Sequence, residues 1–93
     1  MSNISSNTIL QQNDSLITSE IDDELLILDS KTGEYFKIDS IGLSIWKLLI
    51  EPTEVQQLLD QLVKDFEVEE AQCKADTLPF IEMLVEKEYL LTV

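Results

Sequence analysis

The apolar positions in the first third of the chain follow the short runs that are typical of β-strands. Leu16–Ile21 alternates imperfectly, Glu24–Leu28 reads ELLIL without interruption, and Glu34–Ile38 reads EYFKI. Asp22-Asp23 separates the first two runs, and residues 29–33 (DSKTG) separate the second from the third. Short β-rich runs divided by turn residues indicate hairpins. The pattern therefore predicts a small three-stranded antiparallel sheet.

After Ile38 the apolar spacing changes to that of helices. Asp39 or Ser40 provides a cap for a first helix. A second helix is predicted from the capping-box pattern of Thr53 with Gln56 three residues later. Its apolar residues recur at intervals of three and four, as one helix face requires: Val55, Leu58, Leu59, Leu62, Val63 and Phe66.

A third helix is predicted from about Glu69 to Lys87, and it carries two apolar stripes. The first stripe is Ala71, Ala75, Leu78, Ile81 and Val85. The second stripe is Cys73, Thr77, Phe80 and Leu84. Two stripes fit either a helix wedged between the sheet and the other helices, or a helix whose second stripe lines a groove. Because proline removes a backbone donor, we expect a kink or a restart near Ala75–Pro79.

The order of the elements, strands first and three helices afterwards, predicts an α+β fold of winged helix-turn-helix type. We expect one domain over residues 8–93 after a flexible N-terminus at residues 1–7, where the sequence is polar. Thr8–Gln11 favours a further short strand, and Leu90–Val93 an extended tail.

The charge balance narrows the classes of partner. The 93 residues include 19 Asp and Glu against six Lys and Arg, all six being Lys, for a net charge of −13. Such a chain repels nucleic acid and anionic membranes. Its longest apolar runs are too short for a membrane-spanning helix, and its N-terminus lacks the features of a signal peptide. Its single cysteine cannot form an internal disulfide, and the chain is therefore predicted to be a cytoplasmic protein.

Residues that could support catalysis are scarce. The chain has no His, and Cys73 lies inside a predicted helix without a base to activate it. Asp22-Asp23-Glu24 lacks the spacing of a calcium loop. We therefore predict no catalytic, cofactor or metal site, although a small enzyme subunit stays an alternative. The fold type also leaves open a winged-helix transcription regulator or an acidic partner of one, but acids outnumber cations on the third helix.

The EYFKI strand is the feature that favours a binding function. If it is the last strand of the sheet, its edge is unpaired, and Lys37 guards it only in part. An open edge beside an apolar helix stripe suits β-augmentation, in which a peptide adds a strand. The predicted peptide contacts come from the strand and the third helix: Glu34, Tyr35, Phe36, Lys37, Ile38, Cys73, Asp76, Thr77, Phe80 and Leu84. We expect Asp76 to favour a cationic peptide residue and Phe36→Pro to abolish the pairing. The alternative is an edge without a ligand.

The segment ELLILDSKTGEYFKIDSIGLSIWKLL resembles the PqqD-like family of recognition elements for RiPPs, the ribosomally synthesised and post-translationally modified peptides. The matching positions are Leu26, Leu28, Gly33, Tyr35, Ile38, Gly42, Ile45 and Trp46. The closing part of the pattern is matched by Ala75, Asp76, Phe80, Ile81, Leu84 and Leu90. The resemblance covers residues 16–92 and departs from the family at Asp39, where Asn is usual, at Glu88-Tyr89, where Gly is usual, and at Pro79.

The resemblance implies a non-catalytic protein, most similar to the stand-alone members of lasso-peptide systems. Such a protein binds the leader segment of a precursor peptide as a strand added to the third strand, against the third helix. It then presents the peptide to a modifying enzyme or to a transglutaminase-like leader peptidase. No cofactor is implied.

Overall fold

The structure, a computed structural model, describes residues 4–93 and contains two small antiparallel sheets. The first sheet has the order β2-β3-β4, with β2 at Ile17–Ile21, β3 at Glu24–Leu28 and β4 at Tyr35–Ile38. The second has the order β5-β1-β6, with β1 at Ile9–Gln12, β5 at Thr53–Glu54 and β6 at Leu90–Thr92.

Three helices complete the α+β fold, which confirms the predicted class. They are α1 at Ser40–Lys47, α2 at Val55–Phe66 and α3 at Glu70–Glu86. The predicted three-stranded sheet is the first sheet, and two of its strands begin one residue later than expected. The second sheet was not predicted, although short strands near both chain ends were. Its strands pair across most of the chain length, as in Leu10 with Thr92, and no local pattern reports such a pairing.

The start of α2 differs by one residue from the prediction. Thr53 belongs to β5, and its hydroxyl donates to the Glu51 carbonyl at 2.8 Å instead of capping the helix. Glu54 is the cap, and its N–H donates to the Gln57 side chain at 3.4 Å. The Thr53–Gln56 capping box is therefore wrong, because the threonine is used to close the loop after α1.

The third helix is one continuous element across Pro79, whose ring lies on its exposed side. The predicted restart at this residue is therefore wrong, and the alternative, a kink near Ala75–Pro79, stays a prediction. The buried side of α3 includes most of the second stripe, whereas Ala71 and Ala75 of the first stripe are exposed. Its four buried residues are Cys73, Thr77, Ile81 and Leu84.

The end of α3 closes in a Schellman arrangement. The Glu88 N–H donates to the Val85 carbonyl at 3.0 Å, and the Tyr89 N–H donates to the Leu84 carbonyl at 2.9 Å. Glu88 has a φ of 64°, a conformation that glycine adopts at lower cost. The chain then turns into β6, which pairs with β1 and ties both ends of the domain together.

The predicted flexible N-terminus covers residues 1–7, of which 1–3 lie outside the described residues. In the remainder, Ile4 packs against the core and the Ser6 carbonyl accepts from the Gln56 N–H at 3.0 Å. Within the part of the chain that the structure describes, none of the helices has the length and apolar character that a membrane crossing requires.

The core lies between the two sheets and the helices, so it fixes the position of β4 relative to α1 and α3. Its largest fully buried side chains come from all of these layers: Leu10, Leu25, Ile27, Leu49, Leu58, Ile81, Leu84, Leu90 and Val55. Trp46 of α1 is 6% exposed and belongs to the same cluster.

Candidate functional site

The free edge of β4 exposes the backbone of two alternate residues. Asp29 N–H donates to the Glu34 carbonyl at 2.8 Å, which makes this the first hydrogen-bonded pair of the β3–β4 hairpin. Since such pairs alternate along an antiparallel ladder, Phe36 and Ile38 direct their backbone groups toward β3. Tyr35 and Lys37 direct theirs away from it. Because no strand among residues 4–93 pairs with the other side of β4, two N–H and two C=O groups face the open edge.

An open cavity of about 370 Å³ lies beside this edge, between β4, α1 and α3. Most of its wall is apolar, with one acidic residue on α1's cap and one on α3. The lining residues are Phe36, Lys37, Ile38, Asp39, Ile41, Gly42, Ile45, Asp76, Thr77, Phe80 and Met83. A strand added to β4 would therefore place the side chains of one of its faces in an apolar cavity.

Six of the ten residues predicted to contact a peptide line this cavity, namely Phe36, Lys37, Ile38, Asp76, Thr77 and Phe80. The other four are placed elsewhere. Glu34 and Tyr35 are exposed outside it, and Cys73 and Leu84 are core residues at 6% and 0% exposure. The two readings of the second stripe of α3 thus divide along the helix: Thr77 and Phe80 reach the cavity, whereas Cys73 and Leu84 pack inside. Peptide contact by any of the ten residues stays a prediction.

The sequence-based prediction missed the contribution of α1, which supplies Ile41, Gly42 and Ile45 to the wall. Ile41 is 59% exposed although it fits the apolar spacing of its helix. The sequence feature that could have indicated this contribution is the position of Ile41 in the first turn of α1, which faces the end of the preceding strand. Met83 of α3 was also missed, because its position lies outside both apolar stripes.

Gly42 allows α1 to lie close to β4 and α3. A Cβ atom at this position would collide with Cγ2 of Ile38 and would lie 3.0 Å from Cζ of Phe80. The Gly42 N–H also receives the helix cap, donating to Oδ1 of Asp39 at 2.9 Å. Asp39 therefore serves as the predicted cap while its carboxylate borders the cavity.

Phe36 is held in place from the side of α3. Its ring lies 6.3 Å from the Tyr89 ring, with an interplanar angle of 56°, and Nζ of Lys87 lies 5.3 Å from its centroid. Tyr89 is 5% exposed. Burial, and to a lesser extent the charges of Asp29 and Glu34, raise the pKa of the Tyr89 hydroxyl.

The charged groups at the cavity rim are partly engaged. Oδ1 of Asp76 accepts from Nε2 of Gln72 at 2.9 Å. Nζ of Lys37 lies 3.2 Å from Oε1 of Glu24, in a pair that is mostly exposed. Among residues 4–93, no group of three or more His, Cys, Asp or Glu is arranged to hold a metal ion.

An α+β domain with an open strand edge beside an apolar cavity has the geometry that β-augmentation requires. The chain belongs to the PqqD family, whose model, described as coenzyme PQQ synthesis protein D, matches residues 24–90. The resemblance to PqqD-like RiPP recognition elements is thereby confirmed.

A solved structure shares both fold and sequence with this chain. It is described as TbiB1 in complex with the TbiA(beta) leader peptide, and it is 31% identical in sequence with a TM-score of 0.77. The match covers 86% of this chain and 93% of the other. No curated protein matches the chain.

Proposed function

We propose that this protein is a non-catalytic recognition element that binds the leader segment of a ribosomally synthesised precursor peptide. The leader adds as a strand to the edge of β4, and its side chains enter the cavity between β4, α1 and α3. The observation that carries the proposal is the alternation on β4: the backbone groups of Tyr35 and Lys37 face an open edge next to an apolar cavity of about 370 Å³.

The similarity to TbiB1, whose structure contains a leader peptide, supports the same mode of binding and a lasso-type system. In that system the protein presents the bound leader to a modifying enzyme or to a transglutaminase-like leader peptidase. The proposal includes a cytoplasmic location, since the precursor peptide is made by ribosomes.

The charge of the protein shapes the expected affinity. Apolar contacts in the cavity supply most of the binding free energy, because the acids dispersed over the helices are screened beyond a Debye length of about 8 Å at physiological salt. Asp76 at the rim favours a cationic leader residue over an acidic one.

The test is a titration of the purified protein into a fluorescently labelled synthetic leader, followed by polarisation. Saturable binding that a scrambled peptide of equal composition does not compete for is the expected result. Mass spectrometry of the peptide after incubation should show it unchanged, as a non-catalytic role requires. Failure to bind the leader, or specific retention of duplex DNA at physiological salt, would contradict the proposal.

A further inference from the structure

The outer face of the first sheet carries several apolar side chains although it faces away from the core, and they share it with Ser19 and the Glu24–Lys37 ion pair. Leu25 and Ile27 of β3 point inward, at 2% and 0% exposure, so Leu26 and Leu28 point outward. The register places Ile17 and Tyr35 on either side of Leu28. Directly opposed residues of an antiparallel sheet share a face, and these side chains therefore form one surface. The continuous ELLIL run is explained by this second apolar face.

Within residues 4–93, the side chains on this surface are accessible to solvent. Ile17 is 57% exposed, Ile21 is 56% exposed and Tyr35 is 71% exposed. We name this set, together with the partly exposed Leu26 and Leu28, the outer patch. An antiparallel sheet with one free face normally carries polar residues there, so a row that is apolar across all three strands, with Leu26 beside it, indicates an interaction surface.

The segment that forms the outer patch carries an excess of acids, although Glu20 shares the opposite face with Leu25 and lies 3.0 Å from Nζ of Lys47. Residues 14–37 contain seven acids, Asp14, Glu20, Asp22, Asp23, Glu24, Asp29 and Glu34, against Lys31 and Lys37. Two copies of this surface would bring like charges together, which opposes a homodimer. An apolar patch surrounded by acids is complementary to an apolar patch surrounded by Lys and Arg.

The outer patch is continuous with the proposed leader site through β4. Tyr35 directs its side chain to the patch and its backbone groups to the open edge. A leader strand on that edge lies about 4.8 Å from β4. A protein seated on the outer patch is thus in reach of the bound peptide without occupying the cavity on the opposite side of the sheet.

We propose that the outer patch is the docking surface for the enzyme that acts on the leader-bearing precursor. The enzyme's own contact surface is then apolar and surrounded by Lys and Arg. The inference rests on the proposed function, because it assumes that the leader occupies the β4 edge. The first sheet then has two binding surfaces, with the leader on the edge of β4 and the enzyme on the outer face.

The test uses the leader peptidase encoded with the precursor peptide, the full-length protein and the double variant Ile17→Thr/Ile21→Thr. Threonine keeps the β-branched shape in the strand, and both sites are on β2, away from the leader edge. The matched control is Ile50→Thr, which changes an isoleucine of 72% exposure after α1. Leader affinity is measured by polarisation, and peptidase affinity by biolayer interferometry with the leader-loaded protein.

The double variant should bind the leader within about twofold of the wild type and the peptidase at least about tenfold more weakly, a change of about 1.4 kcal/mol. The control should match the wild type in both assays. Unchanged peptidase affinity in the double variant, or no peptidase binding by the wild type, would overturn the inference. A wild-type dimer in sedimentation that the double variant loses would also overturn it, in favour of a second copy. Absence of leader binding by the wild type would instead refute the proposed function, since that measurement is independent of the peptidase.

Discussion

A proline at Lys37 should weaken leader binding while leaving the domain folded. The Lys37 N–H faces the open edge of β4, which is the position at which a sheet tolerates proline. The substitution removes one donor and leaves one carbonyl of the added strand without its partner. An orphaned acceptor of this kind costs about 1–3 kcal/mol. The dissociation constant should therefore rise by about 5- to 150-fold.

Lys37→Ala separates the backbone effect from the side chain. It removes the exposed ion pair with Glu24, a type of contact worth about 0–1 kcal/mol, and keeps the N–H. Leader affinity is measured by polarisation and folding by thermal unfolding for both variants. If the melting temperature and the leader affinity of Lys37→Pro both equal those of Lys37→Ala, pairing at the edge of β4 is refuted.

The alternation also corrects the expectation for Phe36→Pro. The Phe36 N–H points toward Ile27 of β3, which is 0% exposed, so proline there breaks the existing ladder. It also removes the ring that contacts Tyr89. The loss of stability should reach about 3 kcal/mol or more, and loss of binding would then report unfolding. The variant is therefore unsuited to test strand addition.

Three further outcomes are expected. Gly42→Ala should lower the stability by about 1–2 kcal/mol in denaturant unfolding, because overpacking against Ile38 exceeds the gain in helix propensity; unchanged stability would contradict the close approach. Glu88→Gly should raise the stability by up to about 1 kcal/mol, since Glu88 has a φ of 64°, and a lower melting temperature would contradict a strained residue. Because the pKa of Tyr89 is raised in the fold, its contribution is complete below the unfolded pKa of about 10 and is lost as the pH rises through the folded value. Tyr89→Phe should reduce this alkaline loss in melts between about pH 9 and 11, and an identical pH profile would contradict it.

Sequence periodicity located what is local in this fold. The strands of the first sheet, the three helices and the Asp39 cap all follow from short-range patterns, and the ends of these strands, of α2 and of α3 are correct to within one or two residues. The second sheet depends on pairings of Leu10 with Thr53 and with Thr92, both of which are distant in the sequence. Hydrophobic spacing carries no information on such pairings.

The candidate site could be predicted only in part for a related reason. The open edge follows from strand order, but the inward or outward direction of a helix stripe depends on how the helix is rotated against its neighbours. That rotation places Leu84 in the core and Phe80 in the cavity wall. The contribution of Ile41 required the angle between α1 and β4, which Gly42 permits.

Alternate residues of β4 contribute to two different surfaces of the protein. At Tyr35 and Lys37, the main chain faces the open edge and the side chains face the outer surface, so substitutions other than proline leave the edge-facing donors and acceptors in place. Residues on the opposite side, such as Phe36, shape the cavity without altering the outer surface. With the leader and the enzyme bound as we propose, the two sets of positions can be exchanged independently, which would recombine peptide selectivity with enzyme compatibility on one small scaffold.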